Sequence, residues 1–377
     1  MCGTAADPHA VKTMIRQGFV NISEDPDKPV YAVDMRDPIA IFRDADTVIK
    51  APLNKNPRVQ KAFEKAHDNL LAVLRSIYPG KLLLSFNTSA VYSKIIDLAT
   101  EANGVSAEPD STRKRGPYMA VPFGKALSDI VVPNTVTKAL RTEKYFRNDM
   151  DGFDVRESRN YQTLEEQAGT IHSFRRHIIL IDDLLHSGQR MNKVEPVLRM
   201  NDVDIHKIIV GLLTGNALDR MKALGMETES AYFLPSISMW INERDCYPFI
   251  GGDSIEGFGS AVEAGSREPD RSASVNFILP YTGLSFVAGG DPDSIYRYSL
   301  TCLENALSIL QALEEEYQKT FEKKLTLRRL GAVITTPRRP LLGAGLKYDD
   351  HIVPSVYVEN EIRRLKRLFM ISRKQEQ

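Results

Sequence analysis

The sequence reads Ile178-Ile179-Leu180-Ile181-Asp182-Asp183-Leu184-Leu185-His186-Ser187-Gly188-Gln189-Arg190 in its most informative stretch. Four consecutive aliphatic residues predict a strand that is buried on both faces of a parallel sheet. Asp182 and Asp183 follow at the carboxyl end of that strand, which is where open α/β sheets bind their ligands. A short loop with Ser187 and Gly188 then leads into a helix, whose N-terminus favours a bound anion. The sequence thus predicts two carboxylates that can bind vicinal hydroxyls, next to a loop that can bind a phosphate. A sugar phosphate carries both kinds of group.

The stretch lies in a region where predicted strands and helices alternate. Strands are predicted at 81–86, 118–123, 153–156, 178–181, 208–213 and 230–234, and helices at 89–102, 134–147, 191–200 and 217–224. Residues 161–170 form a polar stretch between two of these strands. The alternation is typical of an α/β domain with an open, mostly parallel sheet flanked by helices. We place this domain at residues 80–250.

The remainder of the chain forms two additions to the predicted domain. Residues 1–79 are an N-terminal extension with a helix at about 57–77, where apolar residues recur at helical spacing. Residues 251–377 are a mostly helical C-terminal segment, with a long amphipathic helix at 298–321 and a basic helix at 357–369. We expect this segment to pack on the α/β domain or to form the interface of a homodimer.

Composition excludes several classes of protein. The 49 basic and 49 acidic residues balance, whereas a nucleic-acid-binding protein usually has a basic excess, so no nucleic-acid partner is expected. Cys2, Cys246 and Cys302 are too few and too far apart for a disulfide framework or a zinc site, which fits a reducing cytoplasm. No apolar run approaches the ~20 residues of a membrane span, and no secretory signal is recognisable. We therefore expect a cytoplasmic protein that does not engage a membrane.

Residues 178–190 resemble the motif with which type I phosphoribosyltransferases bind 5-phosphoribosyl-1-pyrophosphate (PRPP). In that motif four aliphatic residues precede two acidic ones, two aliphatic ones, two small residues, a glycine and, two positions later, usually Thr. Asp182 and Asp183 match the acidic residues, and Ser187 and Gly188 match the phosphate loop. His186 stands where a small residue is usual, and Arg190 stands where Thr is most frequent.

The order of the segments upstream looks like that of orotate-type members of the family. Residues 119–123 are similar to the first core strand, and Gly124 and Lys125 to the start of its pyrophosphate loop. Residues 153–157 are similar to the second strand, and residues 159–170 to the hood that closes over the substrate.

The resemblance implies a role for each of these residues. Asp182, Asp183 and Arg159 would be catalytic, the acids by binding the ribose and favouring the positive charge that develops on it. The implied PRPP-binding residues are Asp182, Asp183, Leu185, His186, Ser187, Gly188, Gln189, Arg190, Gly124 and Lys125. Mg²⁺ is the implied cofactor, held mainly by PRPP and only indirectly by Asp182 and Asp183. The partner of PRPP would be a small-molecule acceptor, for which Trp240, Tyr247 and Phe249 are candidate stacking residues.

Two functions follow from this interpretation. The first is a glycosyltransferase that transfers the phosphoribosyl group of PRPP to a base or related small acceptor and releases pyrophosphate. The alternative is a non-catalytic protein that senses PRPP or a nucleotide. A structural scaffold with no ligand is a third, weaker hypothesis.

Other interpretations of the sequence motifs remain open. Four aliphatic residues before two acids also occur in P-loop NTPases, but neither Gly80-Lys81 nor Gly124-Lys125 lies in the required G-x-x-x-x-G-K-[ST] pattern. The acids could simply cap the following helix. Met1-Cys2-Gly3 resembles the start of N-terminal-nucleophile amidotransferases, although the residues that follow do not continue that pattern.

Overall fold

A computed structural model of the protein describes residues 2–4, 8–23, 25, 29–109, 115–125, 127, 129–147, 152–158, 161–255, 273–282, 291–341 and 348–375. Its helices are α1 (Pro8–Arg16), α2 (Pro57–Ile77), α3 (Thr88–Ala102), α4 (Leu164–His172), α5 (Gln189–Met200), α6 (Gly215–Ala223), α7 (Pro292–Phe321) and α8 (Pro354–Gln375). Its strands are β1 (Cys2–Thr4), β2 (Val20–Asn21), β3 (Val30–Ala32), β4 (Asp34–Arg43), β5 (Lys81–Asn87), β6 (Met119–Pro122), β7 (Val136–Thr137), β8 (Thr142–Phe146), β9 (Phe153–Glu157), β10 (Ile178–Leu185), β11 (Ile205–Thr214), β12 (Thr228–Leu234), β13 (Met239–Asn242), β14 (Asp253–Ile255), β15 (Ala273–Val275) and β16 (Arg339–Pro340).

Two compact units divide the chain, and they differ from the predicted segments. The first unit combines residues 1–85 with residues 238–377, and the second comprises residues 86–237. The two segments that flank the predicted α/β domain therefore belong to one unit. They are joined by the parallel pairing of β4 with β13 and by the packing of α2 against α7. Contacts across such distances along the chain leave no local sequence pattern.

The second unit is built on a five-stranded parallel sheet, as the alternation of strands and helices predicts. The strand order is β12-β11-β10-β6-β7, and every neighbouring pair is parallel. All of β6 and nearly all of β10 are buried, which explains their continuous apolar sequence. Strands β8 and β9 of this unit pair with each other in the antiparallel direction.

Helices cover both faces of this sheet. Ile178, Leu180 and Val210 pack in one core with apolar residues of α4, α5 and α6. Successive side chains of a strand point to opposite faces, so Gly211 lies on the other face. There α3 approaches so closely that a Cβ built on Gly211 would lie 2.8 Å from Cγ1 of Val91. The unit is therefore a three-layer α/β structure.

The sheet reverses its direction of growth between β6 and β10. From β6 the chain first adds β7 on one side and later returns to the other side of β6 with β10, β11 and β12. Open α/β sheets bind ligands at such a reversal, outside the carboxyl ends of the strands. The crevice between the ends of β6 and β10, called the switch crevice below, is thus the place where the topology favours a ligand.

The first unit contains a second, separate core. The amphipathic helix α7 packs against α2 and α8, and the predicted helices at 57–77, 298–321 and 357–369 all lie within these elements. Strands β13, β4 and β5 form a three-stranded sheet, and β1, β3 and β2 form an antiparallel one. Strand β15 pairs with β14 and with β16. None of the described helices has the length and apolar character needed to cross a membrane.

Two local predictions are wrong. The helix predicted over residues 134–147 is absent, and this part of the chain forms β7 and β8. Asn134 has a φ of +52°, which interrupts a helix, and the β-branched residues 135–137 favour extended backbone. Conversely, the polar stretch 161–170 contains most of α4, which begins with a capping box between Thr163 and Glu166.

Candidate functional site

Asp182 and Asp183, the acidic pair, lie at the switch crevice. Pairing of β10 with β6 ends at Ile181 and Pro122, whereas pairing with β11 continues to Leu185. The N–H of Phe123 still donates to the carbonyl of Ile181 at 2.9 Å, and the strand pairing of β10 with β6 ends there. The acidic pair therefore lies where β10 is paired with β11 on one side and has left its pairing with β6 on the other.

Gly124 lies directly against the acidic pair. A Cβ at this position would lie 2.6 Å from Oδ1 of Asp182 and 2.7 Å from the backbone nitrogen of Asp183. Both distances are too short for non-bonded atoms, so only glycine allows the backbone to approach this closely. Gly124 and the acidic pair, all of them implied PRPP-binding residues, thus lie against one another.

Arg190 is the counter-ion of the acidic pair. Its Nη1 donates a hydrogen bond to Oδ1 of Asp182 and lies 3.2 Å from Oδ1 of Asp183. Its guanidinium also lies over the ring of Phe123, with 5.8 Å between Cζ and the ring centroid. Arg190, at the start of α5, thus contacts the carboxylates rather than a position on the phosphate loop.

The two carboxylates also bind backbone N–H groups. Asp182 Oδ1 accepts from the N–H of Asp183 at 2.8 Å, and Asp183 Oδ1 accepts from the N–H of Leu184 at 3.0 Å. Asp182 is fully buried, and its Oδ2 has no hydrogen-bond partner among the described residues. Burial raises the pKa of Asp182 well above its ordinary value, although the Arg190 cation opposes that shift. Asp182 therefore carries unused hydrogen-bonding capacity at the crevice.

The loop after β10 is anchored through its carbonyl groups. Thr214 Oγ1 donates to the carbonyl of His186 at 2.7 Å, and Nη1 of Arg220 donates to the carbonyl of Ser187 at 3.0 Å. The side chains of His186, Ser187 and Gln189 are exposed, while Leu185 is buried in the core. Since the carbonyls are held by β11 and α6, the loop keeps a fixed conformation before α5.

Gly188 provides the turn from this loop into α5. It precedes the first residue of the helix and has a φ of +71°, in the left-handed region that glycine tolerates best. The unpaired N–H groups of a helix N-terminus attract anions, and exposed Ser187 adds a hydroxyl beside them. A loop with an exposed serine and a left-handed glycine thus leads into the N-terminus of α5.

The other predicted site residues lie in different surroundings. Lys125 follows Gly124 and is half-buried. Arg159 lies outside the described residues. Much of the segment interpreted as a hood is α4, whose Leu164, Ala168 and Ile171 are buried.

The three candidate stacking residues belong to the first unit. Tyr247 and Phe249 are fully buried in its core, so neither can stack on a base. Trp240 stacks on Phe42, with ring centroids 5.4 Å apart. The suggestion that these aromatic residues receive the acceptor is therefore not supported by their positions.

No described residues form a cluster of three or more His, Cys, Asp or Glu side chains that could hold a metal ion. Among the described residues at the switch crevice, the two carboxylates of the acidic pair are the candidates for contact with a cation. Mg²⁺ usually keeps several waters and is bound by one or two carboxylates together with substrate phosphates. The acidic pair offers two carboxylates of this kind.

Three residues of the site were not predicted. Thr214 lies at the carboxyl end of β11, and the rule that ligands bind at strand ends would have identified it. Arg220 on α6 and Phe123 after β6 left no sequence signal, because their roles depend on how neighbouring elements pack.

Comparison with known proteins identifies no family. No protein-family model and no curated protein matches the chain. Among solved structures, the chain is similar to adenine phosphoribosyltransferase from Thermoanaerobacter pseudethanolicus ATCC 33223, with 12% sequence identity. The match covers 38% of this chain and 80% of that chain, with a TM-score of 0.24. A likeness at this TM-score establishes neither the fold nor the function of this chain.

Proposed function

We propose that the protein binds PRPP at the switch crevice and transfers its phosphoribosyl group to a small acceptor, releasing pyrophosphate. The observation that carries this proposal is the position of the acidic pair. Two adjacent carboxylates lie near the carboxyl end of a central parallel strand at the reversal of the sheet, and the loop 186–188 after that strand leads into a helix N-terminus. A ribose 5-phosphate offers the matching groups, two vicinal hydroxyls that donate and a phosphate that accepts.

The proposed binding mode assigns each group of the ligand to atoms of this chain. The ribose hydroxyls donate to the acidic pair, where Asp182 Oδ2 has unused capacity. The 5′-phosphate accepts from the N–H groups of loop 186–189 and from the Ser187 hydroxyl. Gly124 places its backbone directly against the carboxylates, a position that a side chain would not allow. Hydrogen bonds to charged groups contribute about 1.5–3 kcal/mol each.

Arg190 adds a competition to this binding mode. The ribose hydroxyls and the guanidinium seek the same carboxylate oxygens, because Arg190 contacts Oδ1 of both Asp182 and Asp183. Displaced from the pair, the guanidinium stays near the loop at the start of α5, where it favours the 5′-phosphate by charge. On ligand binding, Arg190 would thus lose its contact with the acidic pair and gain a contact with the 5′-phosphate.

The proposed reaction is a displacement at the anomeric carbon. A nucleophilic atom of the acceptor forms a bond to that carbon as its bond to the pyrophosphate oxygen breaks, and pyrophosphate leaves with the electron pair. The sugar becomes positively charged in the transition state, and the carboxylates of the acidic pair favour that charge. Mg²⁺ bound with PRPP would neutralise the charge on the leaving pyrophosphate.

Calorimetric titration with PRPP and Mg²⁺ tests the proposal. We expect saturable binding by the wild type and a loss of about 10²- to 10⁴-fold in affinity for Asp182→Asn/Asp183→Asn, which weakens two charged hydrogen bonds. The matched control is Asp202→Asn/Asp204→Asn, which alters two exposed carboxylates in the segment before β11. This control should bind as the wild type does. No binding at millimolar PRPP, or equal loss in both double variants, would contradict the proposal.

The contacts of Arg190 favour a second candidate function, a protein that senses PRPP without turnover. The guanidinium of Arg190 pairs with both carboxylates of the acidic pair, which lowers the negative charge available to a cationic transition state. Release of pyrophosphate in the presence of candidate acceptors separates the two functions. Saturable binding without release for any purine, pyrimidine or amine acceptor would favour the sensor.

A further inference from the structure

A second polar cluster lies in the first unit, away from the acidic pair in the chain. Ser85 near the end of β5, His67 in α2 and Glu243 directly after β13 are brought together from three elements. Ser85 Oγ lies 3.0 Å from Nε2 of His67. The other ring nitrogen, Nδ1, lies 2.9 Å from Oε2 of Glu243. The three side chains thus form a continuous chain of hydrogen bonds from hydroxyl to imidazole to carboxylate.

The direction of these bonds follows from the chemistry of the groups. An ionised carboxylate only accepts, so Nδ1 of His67 carries the hydrogen that bonds to Glu243. In the neutral imidazole Nε2 is then unprotonated and accepts from the Ser85 hydroxyl. This tautomer is the one in which a histidine can take a proton from a serine as general base.

Burial differs sharply along the cluster. Glu243 is 1% exposed and His67 is 7% exposed, whereas Ser85 is exposed. The base and its carboxylate are therefore shielded from water while the hydroxyl remains accessible to a substrate. A hydrogen-bond network that served only the core would have no need to end on an exposed hydroxyl.

Glu243 is held in place by its neighbours. The hydroxyl of Tyr247 donates to Oε1 of Glu243 at 2.9 Å, so both carboxylate oxygens have partners. Asn305 lies 3.4 Å from the same hydroxyl and donates to the carbonyl of Ala66, next to His67. Burial raises the pKa of Tyr247 well above its ordinary value, and the Glu243 carboxylate adds to the shift, so the phenol remains a donor. These contacts fix the orientation of the carboxylate that orients His67.

We propose that Ser85, His67 and Glu243 form a nucleophilic triad that transfers acyl groups from small carboxylic esters. Ser85 Oγ forms a bond to the ester carbonyl carbon while its proton passes to Nε2 of His67. The carbon–oxygen bond of the alcohol then breaks, and the alcohol leaves with that proton. Water attacks the acyl-serine, again losing a proton to His67, which returns it to Ser85 as the carboxylic acid is released. Glu243 is a positioning residue that keeps the imidazole in the active tautomer.

The geometry is that of serine hydrolases, in which the same three groups occur in several orders along the chain. Here the order is His67, Ser85 and Glu243. The proposal is independent of PRPP binding, since none of its residues belongs to the switch crevice.

A fluorophosphonate probe tests the proposal directly. Its phosphorus accepts the serine oxygen, fluoride leaves, and a stable phosphonyl-serine remains that peptide mass mapping locates. We expect the wild type to be modified at Ser85 and Ser85→Ala not to be modified at any residue. The matched control is Ser89→Ala, which removes another exposed serine four positions along the chain. It should be labelled at Ser85 at the rate of the wild type.

The labelling rate of Glu243→Gln then tests the triad rather than the serine alone. In serine proteases the equivalent change costs about 10⁴-fold because the histidine adopts the wrong tautomer, and we expect a fall of about 10³- to 10⁴-fold here. Far-UV circular dichroism reports whether each variant is folded. If the wild type is not labelled at Ser85 faster than at its other exposed serines, the proposal is overturned. This outcome does not depend on whether a variant at a buried position folds. Equal labelling of a folded Glu243→Gln variant overturns the assigned role of Glu243.

Discussion

Arg190 donates a hydrogen bond to Oδ1 of Asp182, a fully buried carboxyl eight residues earlier in the chain. The contact joins the start of α5 to the end of β10 across the loop that we assign to the phosphate. It is an ion pair with little access to water, because Arg190 itself is only 14% exposed. Such a pair contributes little net stability when intact, but removing one partner leaves the other uncompensated.

Arg190→Gln should therefore destabilise the protein by about 3–5 kcal/mol, the usual cost of breaking a buried pair. Combined with Asp182→Asn, it should cost less than the sum of the two single changes, by about 1–3 kcal/mol. Urea unfolding of the wild type, the two single variants and the double variant measures both the destabilisation and its departure from additivity. Arg199→Gln, which removes an exposed ion pair with Glu195 in the same helix, is the control and should cost less than about 1 kcal/mol. If the destabilisations by Arg190→Gln and Asp182→Asn simply add in the double variant, the contact between Arg190 and Asp182 carries no coupling energy.

The buried carboxyl of Asp182 should also give the stability a pH dependence. Burial raises the pKa of Asp182 above its ordinary value of 3.8, so the folded state binds this proton more tightly than the unfolded state. The contribution of Asp182 to stability is then greatest below about pH 3.8 and declines as the pH rises towards its folded pKa. Asp182→Asn removes that decline. The unfolding free energy of the wild type minus that of the variant should fall over this interval, and a rise would show that Arg190 outweighs burial.

Gly124→Ala should damage the switch crevice. The added methyl would meet Asp182 Oδ1 and the backbone of Asp183, so the strand ends must separate at a cost of about 1–3 kcal/mol. PRPP affinity should fall with it. Gly169→Ala is the same substitution inside α4, where the methyl meets nothing within 4 Å, and it should stabilise by about 0.5–1 kcal/mol. Thermal unfolding compares the melting temperatures of the two variants with that of the wild type. A shift in melting temperature of the same sign in both variants would contradict the close approach at Gly124.

Thr163→Ala should weaken the start of α4. Thr163 Oγ1 accepts from the N–H of Glu166 at 3.2 Å, and the Glu166 carboxylate accepts from the N–H of Thr163 at 3.1 Å. Loss of such a cap costs about 1 kcal/mol. Thr163→Ser keeps the hydroxyl and should restore most of that stability, as measured by urea unfolding. Equal destabilisation by both changes would assign the effect to the lost methyl group.

Much of the second unit could be predicted because its sequence patterns are local. Four aliphatic residues before Asp182 define β10. In the first unit, the amphipathic spacing from 57 to 77 likewise defines α2. The helix predicted at 134–147 is wrong because Asn134 has a positive φ and three consecutive β-branched residues follow it. Helix α4 was missed although Thr163 and Glu166 stand at capping-box spacing, a signal that the sequence does contain.

The site was only partly accessible to sequence reasoning. The location of the acidic pair follows from strand and turn patterns, and so does the need for glycine at 188. The contact of Arg190 with the pair depends on the direction in which α5 leaves its loop, which no pattern specifies. The same holds for Ser85, His67 and Glu243, because Glu243 is 176 positions from His67 and pairs with it only in the folded chain.

The division of the first unit into residues 1–85 and 238–377 has a consequence for protein synthesis. When α2 leaves the ribosome, its main packing partner is missing, because α7 begins only at Pro292. Strand β4 likewise cannot form its parallel pair until β13 has been made. The five parallel strands of the second unit, in contrast, occupy one uninterrupted segment of the chain. Domains generally fold as units during synthesis, so the second unit can fold before the first has received its later half. The order of folding is thus the reverse of the order in which the two units begin to be made.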